Sequence, residues 1–586
     1  MLGEIISIEE NTVLVKLDID LRKASSLINV HVVFEDDDHR VVGEVLDIKD
    51  GIARVNLAGE IEDDFFSYGV IKKPSFSANV RVIKGRELEL IIGKQDSNGV
   101  DTLIVGESPL YKDFLVNINV NDFFSNHFCI FGSTGSGKSC AVASIFQSLF
   151  RKEEAPENAS IFVFDAYGEY HHAFRNFNNR INFKAYTTDV SGTTDTEILK
   201  IPLWILGVDD LALLLNAESG SQLPIVDKAL KLVRIFRSTN ADIIKTKNDI
   251  IARALLEVLY SGNTPSQIRD QIFAILTTYH TEDLSLESKI VQPGYVRTLK
   301  QCLIIDGTGK IHEMELVTKF IESFIDDSNT LLTEDIDEPI TYNLEDLKEA
   351  LDFALISEGI FKSDKVYDNA NILKVRLESL INGEGSRYFD YGDYYITKEQ
   401  YLKALLTDEQ GQKVQMVNFN INYIDDRLAK VITKIYSKLI YDIAKDSNDR
   451  GTHPYHIVLE EAHRYVQNDN DTKLLGYNIF DRITKEGRKY GVIMGFISQR
   501  PSELSETALS QCSNFLIFRM LHPMDLEYMK KMIPNITDEV LNKMKILKSG
   551  TCVAFGLAFK IPILINIYLP DPLPNSSSCH VSEVWY

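Results

Sequence analysis

The sequence predicts an α/β fold: a parallel-sheet core, split by a long helical segment and preceded by a small all-β domain. Three observations carry this. Short alternating strands fill residues 1–85. Apolar runs suited to strands buried on both faces occur within 86–204 and return from 385. The stretch between them is dominated by helical periodicity. At 586 residues the chain exceeds what one hydrophobic core organises, so several domains or large insertions are expected.

In residues 1–85, "TVLVKLDI", "HVVFE", "VVGEVLDI" and "IARVNLAGEI" alternate apolar and polar positions. Turn-formers such as Asp36-Asp37-Asp38 and Asp50-Gly51 separate them. The spacing predicts a small β-barrel. It has no catalytic cluster, which leaves docking or oligomerisation as its expected role.

Residues 86–204 change character. "TLIVGE", "FCIFG" and "SIFVFDAYGEY" are buried-strand runs, and "SCAVASIFQSLFRK" places Val142, Ile145, Phe146 and Leu149 at helical spacing. Strand, glycine loop, helix and strand make the βαβ unit of a parallel sheet. Residues 205–384 read as a helical bundle inserted between two halves of one core. There Thr264, Pro265 and Gln267 form an N-cap, first-turn proline and capping-box partner. Leu344, Leu347, Leu351 and Leu355 share one helical face, with Gly359 at the expected C-cap. Residues 385–568 resume the core with "VQMVNFNI", "YHIVLEEAH", "GVIMGFISQR", "NFLIFRM" and "TCVAFGLAF". The Pro/Ser-rich residues 569–586 read as an extended arm.

Composition narrows the class. Hydrophobic residues at 44% and charged residues at 25% are ordinary for a globular chain. No apolar run approaches the ~18 residues of a membrane span, and "MLGEIISIEENTV" lacks a signal-peptide core, so a soluble cytoplasmic protein without a membrane partner is expected. The six cysteines are scattered without a CxxC pair or a His-rich run, which argues against a zinc site or a disulfide frame. The formal charge of −23 disfavours a protein that coats nucleic acid with its outer surface. It leaves open a narrow, locally positive channel.

The chemistry is concentrated at residues 131–140, "FGSTGSGKSC". Gly132-x-x-x-x-Gly137-Lys138-Ser139, between a buried strand and an amphipathic helix, is the P-loop pattern. Its backbone N–H groups curl around phosphate, Lys138 reaches the β/γ-phosphates, and the Ser139 hydroxyl binds Mg²⁺. The nucleotide contacts expected here are Gly132, Ser133, Thr134, Gly135, Ser136, Gly137, Lys138, Ser139 and Cys140, with ATP and Mg²⁺ as ligands.

Hydrolysis needs an acid near the metal and a base near the water. "YHIVLEEAH" ends an apolar strand in Glu460-Glu461: Glu460 is the candidate metal residue, Glu461 the candidate base. Glu460 stands where Asp is usual, so its metal contact is expected to be direct or through water. Asp165 and Glu169 follow another buried strand, where α/β sheets place their chemistry, and Gln499 ends a third. Taken singly, these three fit turn-capping as well. In "RITKEGRKYG", Arg482, Lys485, Arg488 and Lys489 fit a solvated helix end, or Arg488 acts as an arginine finger toward a neighbouring subunit.

The motifs "HFCIFGSTGSGKS", "DAYGEY", "VLEEAH", "EGRKYG" and "SQRPSELSETALSQCSNFLIFRM", in this order, resemble the HerA family of hexameric ATPases, relatives of FtsK-type DNA translocases. The resemblance implies a RecA-like P-loop ATPase core with an N-terminal small β-barrel and an inserted helical bundle. It implies a homohexameric ring that moves on double-stranded DNA using ATP. It also implies a partner: a NurA-like nuclease in end processing, or a nuclease or NADase effector in anti-phage defence. By position, Lys138 and Ser139 are the Walker A pair, Glu461 the catalytic glutamate, Arg488 the family's "GRKYG" arginine and Gln499 the sensor. Two departures stand out. Many relatives carry Arg where this chain has Asn126, before His127, and the family's "DPHGEY" is here "DAYGEY". The arginine role is then open to Arg387 or Arg500. A ring with a basic pore would reconcile DNA binding with an acidic exterior. Two further readings use the same loop: an ATP-gated oligomeric scaffold that activates a partner effector, and a small-molecule kinase.

Overall fold

The computed structural model describes residues 2–19, 27–36, 39–93, 99–175, 177, 180–194, 196–307, 309–326, 338–359, 364–532, 538–576 and 581–585. The chain divides into two compact units. Residues 1–197, 402–469 and 478–586 form the first, and 198–401 with 470–477 the second.

The first unit begins with seven antiparallel strands: β1 (Gly3–Ile8), β2 (Thr12–Leu17), β3 (His31–Glu35), β4 (Arg40–Lys49), β5 (Ile52–Glu62), β6 (Phe65–Tyr68) and β7 (Asn79–Val82). Their order is β1-β2-β5-β4-β3-β7, with β6 on β5. The Leu2 N–H donates to the Val80 carbonyl at 2.7 Å, linking the two ends of that order. Alternation along β2 and β5 turns Val13, Val15, Ala53, Val55 and Leu57 inward onto Val32, Phe34, Val41 and Val80. Asp50 and Gly51 both adopt positive φ (+52° and +78°), the geometry of a tight β4–β5 hairpin. Asp37 and Asp38 of the anticipated acidic turn lie outside the described residues.

The same unit holds a twelve-stranded sheet. Its strands are β8 (Thr102–Glu107), β9 (Leu115–Asn119), β10 (Phe128–Phe131), β11 (Ser160–Asp165), β12 (Phe183–Thr187), β13 (Glu197–Ile198), β16 (Met416–Asn420), β17 (Tyr455–Leu459), β18 (Val492–Ser498), β19 (Asn514–Ile517), β20 (Thr551–Gly556) and β21 (Ile563–Ile567); β14 (Lys289–Gln292) and β15 (Tyr295–Thr298) form a separate hairpin in the second unit. The order is β13-β12-β16-β11-β17-β18-β10-β19-β20-β21-β8-β9. From β12 to β19 the pairs are parallel; from β19 to β9 they are antiparallel. The parallel strands coincide with the continuous apolar runs, because both of their faces are covered. Helix Lys138–Arg151 covers β10 through buried Val142, Ile145, Phe146 and Leu149. Each such side chain contributes roughly 1.5–3 kcal/mol.

The second unit is largely helical, with helices Leu223–Arg237, Ala241–Leu259, Pro265–Tyr279, Met314–Glu322, Leu344–Gly359 and Asp364–Asn382. The Gln267 side chain accepts from the Thr264 N–H at 3.1 Å, the predicted half of the capping box. Leu344, Leu347, Leu351 and Leu355 are all buried. Residues 569–576 form neither helix nor strand, and a short helix, Val581–Trp585, follows. No described helix is long and apolar enough to cross a membrane.

His127, at the start of β10, is fully buried and locks β10 to its neighbours. Its Nδ1 accepts from the Met494 N–H at 2.9 Å, which leaves the proton on Nε2, 3.0 Å from the Thr484 carbonyl. Burial holds its pKa down to about 4, opposed by the Thr484 bond and reinforced by the charge of Arg488. A histidine with a lowered folded pKa takes up its proton in the unfolded chain first as pH falls from 6.5. Stability from this group is therefore complete above pH 6.5 and declines towards pH 4, by up to roughly 3 kcal/mol. Chemical denaturation across that window should show the decline in the wild type and a flatter profile in His127→Gln, whose amide supplies one donor and one acceptor. Equal slopes would remove His127 as the cause.

Candidate nucleotide and hydrolysis site

Parallel register determines which side chains meet. Phe131 of β10 pairs with Ser498 of β18, so Gln499 emerges level with Gly132. Phe164 of β11 pairs with Leu459 of β17, so Asp165 and Glu460 emerge side by side, and the Glu460 N–H donates to the Phe164 carbonyl. The C-terminal ends of four parallel strands thus share one edge of the sheet, where such folds bind ligands.

The loop between β10 and helix Lys138–Arg151 adopts positive φ at Gly135 (+72°) and Gly137 (+106°). At Gly132 a Cβ would lie 2.6 Å from both Phe518 Cβ and Ser136 Oγ, so only glycine fits. Sequence-distant residues brace the loop. The Ser133 N–H donates to the Arg519 carbonyl (2.8 Å), the Gly550 N–H to the Ser136 carbonyl (2.9 Å), and the Ser549 hydroxyl to the Gly135 carbonyl (2.9 Å). The Lys138 ammonium donates to the carbonyls of Gly132 (2.9 Å) and Ser133 (3.2 Å). Burial lowers its pKa, against the raising effect of Glu461, Glu460 and Glu169.

Glu461 follows β17 in the left-handed region (φ +49°), uncommon for a residue with a side chain and worth on the order of 1–3 kcal/mol of strain. That turn aims its carboxylate at the loop. Gln499 stands between the two: its Oε1 accepts from the Thr134 hydroxyl at 2.7 Å, and its side chain lies close enough to Glu461 to lower its pKa. His463 was not singled out by sequence reasoning, although "EEAH" contains it. Its Nδ1 lies 3.2 Å from Glu461 Oε2 and 3.1 Å from the Ser498 hydroxyl, placing it to position the carboxylate. Burial raises the Glu461 pKa, while Lys138, Arg464 and Gln499 hold it down.

Asp165 has a more structural part than its position suggested. Its oxygens accept the N–H groups of Tyr167 (3.3 Å), Glu169 (3.0 Å) and Tyr170 (2.9 Å), building the turn that presents Glu169. The Ser139 side chain lies beside the Glu169 carboxylate; burial raises the Glu169 pKa and the nearby hydroxyl opposes this. Burial, Asp165 and Glu169 push the Glu460 pKa well up. Glu169 Oε2, Glu460 Oε2, Glu461 Oε2 and Ser136 Oγ are buried without a hydrogen-bond partner within the protein. Unpaired acceptors around Ser139 and Lys138 suit a hydrated divalent cation carrying a phosphate, so the residues present fit Mg²⁺ and a nucleotide.

Residues 571–576 were also missed as neighbours of the site. They run along helix Lys138–Arg151, where the carbonyls of Asp571 and Pro572 accept from Arg151 (2.7 Å) and Gln147 (2.9 Å). The Asn575 N–H donates to the Glu169 carbonyl (2.9 Å), and the Ser576 side chain reaches Cys140.

The remaining candidates lie elsewhere. Arg488 is exposed four residues before β18 begins, beside His127, whereas Gln499 follows the strand's other end. At ~3.3 Å per residue the seven residues of β18 alone separate them by roughly 23 Å. Arg488 therefore cannot serve the loop of its own chain. Lys485 and Lys489 are exposed, and Arg482 stacks over the Tyr441 ring. Asn126 is buried and donates to the Asp122 carbonyl. Arg500 is on the loop's side, exposed and paired with Glu503, while Arg387 belongs to the second unit.

A family model described as "Helicase HerA, central domain" matches residues 104–292, which include the glycine loop, Asp165 and Glu169. Over these residues the chain is similar to the HerA family. The DNA double-strand break repair helicase HerA of Pyrococcus furiosus is 23% identical over 472 residues, 80% of this chain and 70% of that protein. A probable helicase of Methanocaldococcus jannaschii is 22% identical, with 91% and 79% covered. Solved structures similar to it include the plasmid coupling protein TrwB with a GTP analogue (TM-score 0.43, 11% identity, 83% and 93% covered) and VirB4 of Thermoanaerobacter pseudethanolicus (0.40, 12%, 81% and 97%). The chain is an ATP-hydrolysing enzyme.

Glu461 is the candidate proton acceptor, and its raised pKa gives that role a pH signature. The acid limb of kcat should lie above the ordinary glutamate value of 4.5, because turnover is lost once Glu461 is protonated. In Glu461→Gln nucleotide binding should persist while kcat falls at least ~100-fold and the limb disappears. A normal rate in this variant would move the base elsewhere. Gln499→Ala should lower kcat by about 10- to 100-fold with little change in nucleotide affinity, read by steady-state phosphate release.

Proposed function

We propose that this chain is an ATP-driven motor on double-stranded DNA, acting as a homohexameric ring with a partner effector. The observation that carries the reading is the place of Gln499, which accepts a hydrogen bond from the phosphate loop at Thr134 and lies near the candidate hydrolytic carboxylate of Glu461. A residue held by the phosphate loop and placed beside that carboxylate can register whether a γ-phosphate is present, which a motor needs if hydrolysis is to alter structure. HerA of Pyrococcus furiosus is named as a DNA double-strand break repair helicase, and DNA is the load proposed here. The finer architecture belongs to the same proposal: residues 1–85 as a small barrel, 86–204 and 385–568 as a RecA-like core, 205–384 as an inserted helical bundle, and 569–586 as a C-terminal arm.

In the proposed reaction, backbone N–H groups of Gly132–Ser139 hold the triphosphate, and Lys138 leaves the Gly132 and Ser133 carbonyls for the β/γ-phosphates. Ser139, with Glu460 and Glu169 around it, would hold Mg²⁺, which supplies charge neutralisation on the phosphates when bound. Glu461, oriented by Gln499 and His463, takes a proton from water as its oxygen attacks the γ-phosphorus. The bond to the β-phosphate oxygen breaks, and ADP leaves with inorganic phosphate as the second product.

Arg488 supports the ring. It is exposed, and its own strand holds it away from its own loop, so a finger role requires a neighbouring copy. The acidic exterior fits DNA held inside the ring. A NurA-like nuclease, or a nuclease or NADase of a defence system, is the class of partner proposed.

In mixed assemblies, Arg488→Ala subunits should depress ATP turnover more steeply than their mole fraction, and strictly proportional loss would remove the trans finger. Long duplex DNA should stimulate turnover several-fold at low salt and less at high salt. Turnover indifferent to DNA, with ATP-dependent activation of a partner effector, would replace the motor with a scaffold.

A further inference from the structure

Outside the nucleotide site, the N-terminal sheet brings together His39, Glu60 and Glu62, with one ligand atom of each within 4.8 Å of the others. Strand register explains this. Arg40 of β4 pairs with Ile61 of β5 and Val41 with Glu60, so the alternation places His39, Glu60 and Glu62 on one face. His39 is 6% exposed, yet neither ring nitrogen makes a hydrogen bond. A buried imidazole without partners is costly unless something occupies the place of a partner.

The spacing indicates what that is. His39 Nε2 and Glu60 Oε2 are 3.6 Å apart, beyond a hydrogen bond. Two ligands at 2.0–2.1 Å from a tetrahedral ion stand about 3.4 Å apart. Glu60 is itself oriented: its Oε1 accepts the N–H groups of Ile71 (2.6 Å) and Lys72 (2.9 Å), leaving Oε2 towards His39. Such outer bonds are typical of ligating carboxylates. Glu62 is exposed and closes the triangle from the solvent side. The cleft in front carries Asp36, Asp63 and Asp64 as well as Lys72 and Lys73.

We propose that His39, Glu60 and Glu62 form a binding site for a zinc-type divalent transition-metal ion, with water completing its coordination. One imidazole and two carboxylates suit this class better than Mg²⁺ or Ca²⁺, which favour all-oxygen shells. A search for cysteine pairs and histidine runs cannot find such a site, because its ligands come from two strands.

Cobalt is a visible probe. Full-length protein, stripped by chelator and free of nucleotide, should develop d–d absorption at one Co²⁺ per chain, bleached by Zn²⁺. The band should vanish in His39→Ala and weaken in affinity by at least about tenfold in Glu62→Gln, whose exposed side chain makes misfolding an inadequate explanation. It should persist in Lys138→Ala. Absence of a band at millimolar cobalt, wild-type affinity in Glu62→Gln, or loss in Lys138→Ala would each overturn the site; the first would leave a bare His39–Glu60 ion pair, and the last would put the ion at the nucleotide loop.

Discussion

Four carboxylates crowd one buried ammonium at the edge of the large sheet. Burial raises the pKa of Glu169, Glu460 and Glu461, which lie with Asp165 in this low-dielectric pocket, and Lys138 is a cation among them. The rest of the unit manages that tension. Backbone N–H groups neutralise Asp165, a hydroxyl meets Glu169, and Gln499 and His463 flank Glu461. The unpaired oxygens that remain face the place where a cation and a phosphate belong, so burial that is unfavourable in the empty site becomes binding capacity.

The sheet acts as both scaffold and ruler. Parallel pairing brings the ends of β10, β11, β17 and β18 to one edge, which assembles the site from residues hundreds apart in sequence. The same strand keeps Gln499 and Arg488 at opposite ends. An arginine held away from its own loop and exposed to solvent is placed to meet another molecule, which is why the proposed finger role requires a neighbouring copy.

Much of this was legible in the sequence because the signals are local. The glycine spacing needs only ten contiguous residues, and continuous apolar runs announce strands covered on both faces. Glu461 was readable because an acid pair ends such a run. His463, Asn575 and the bracing at Arg519, Ser549 and Gly550 were not, since each acts through a contact with a distant residue and has no spacing of its own. Asp165 was readable as a strand-end acid, but its three backbone bonds became visible only with the turn. The N-terminal triad was hidden for a related reason: Glu60 and Glu62 look like alternating strand polarity until β4 brings His39 across.

By itself, the sequence determined the residue types proposed to hold phosphate and take a proton, and the periodicities that make strands and helices around them. Those follow from short-range sterics and burial. Tertiary structure decided which acid lies beside which base, that Gln499 stands between loop and carboxylate, and that Arg488 faces away. These depend on strand register, where a shift of one residue sends every side chain to the opposite face.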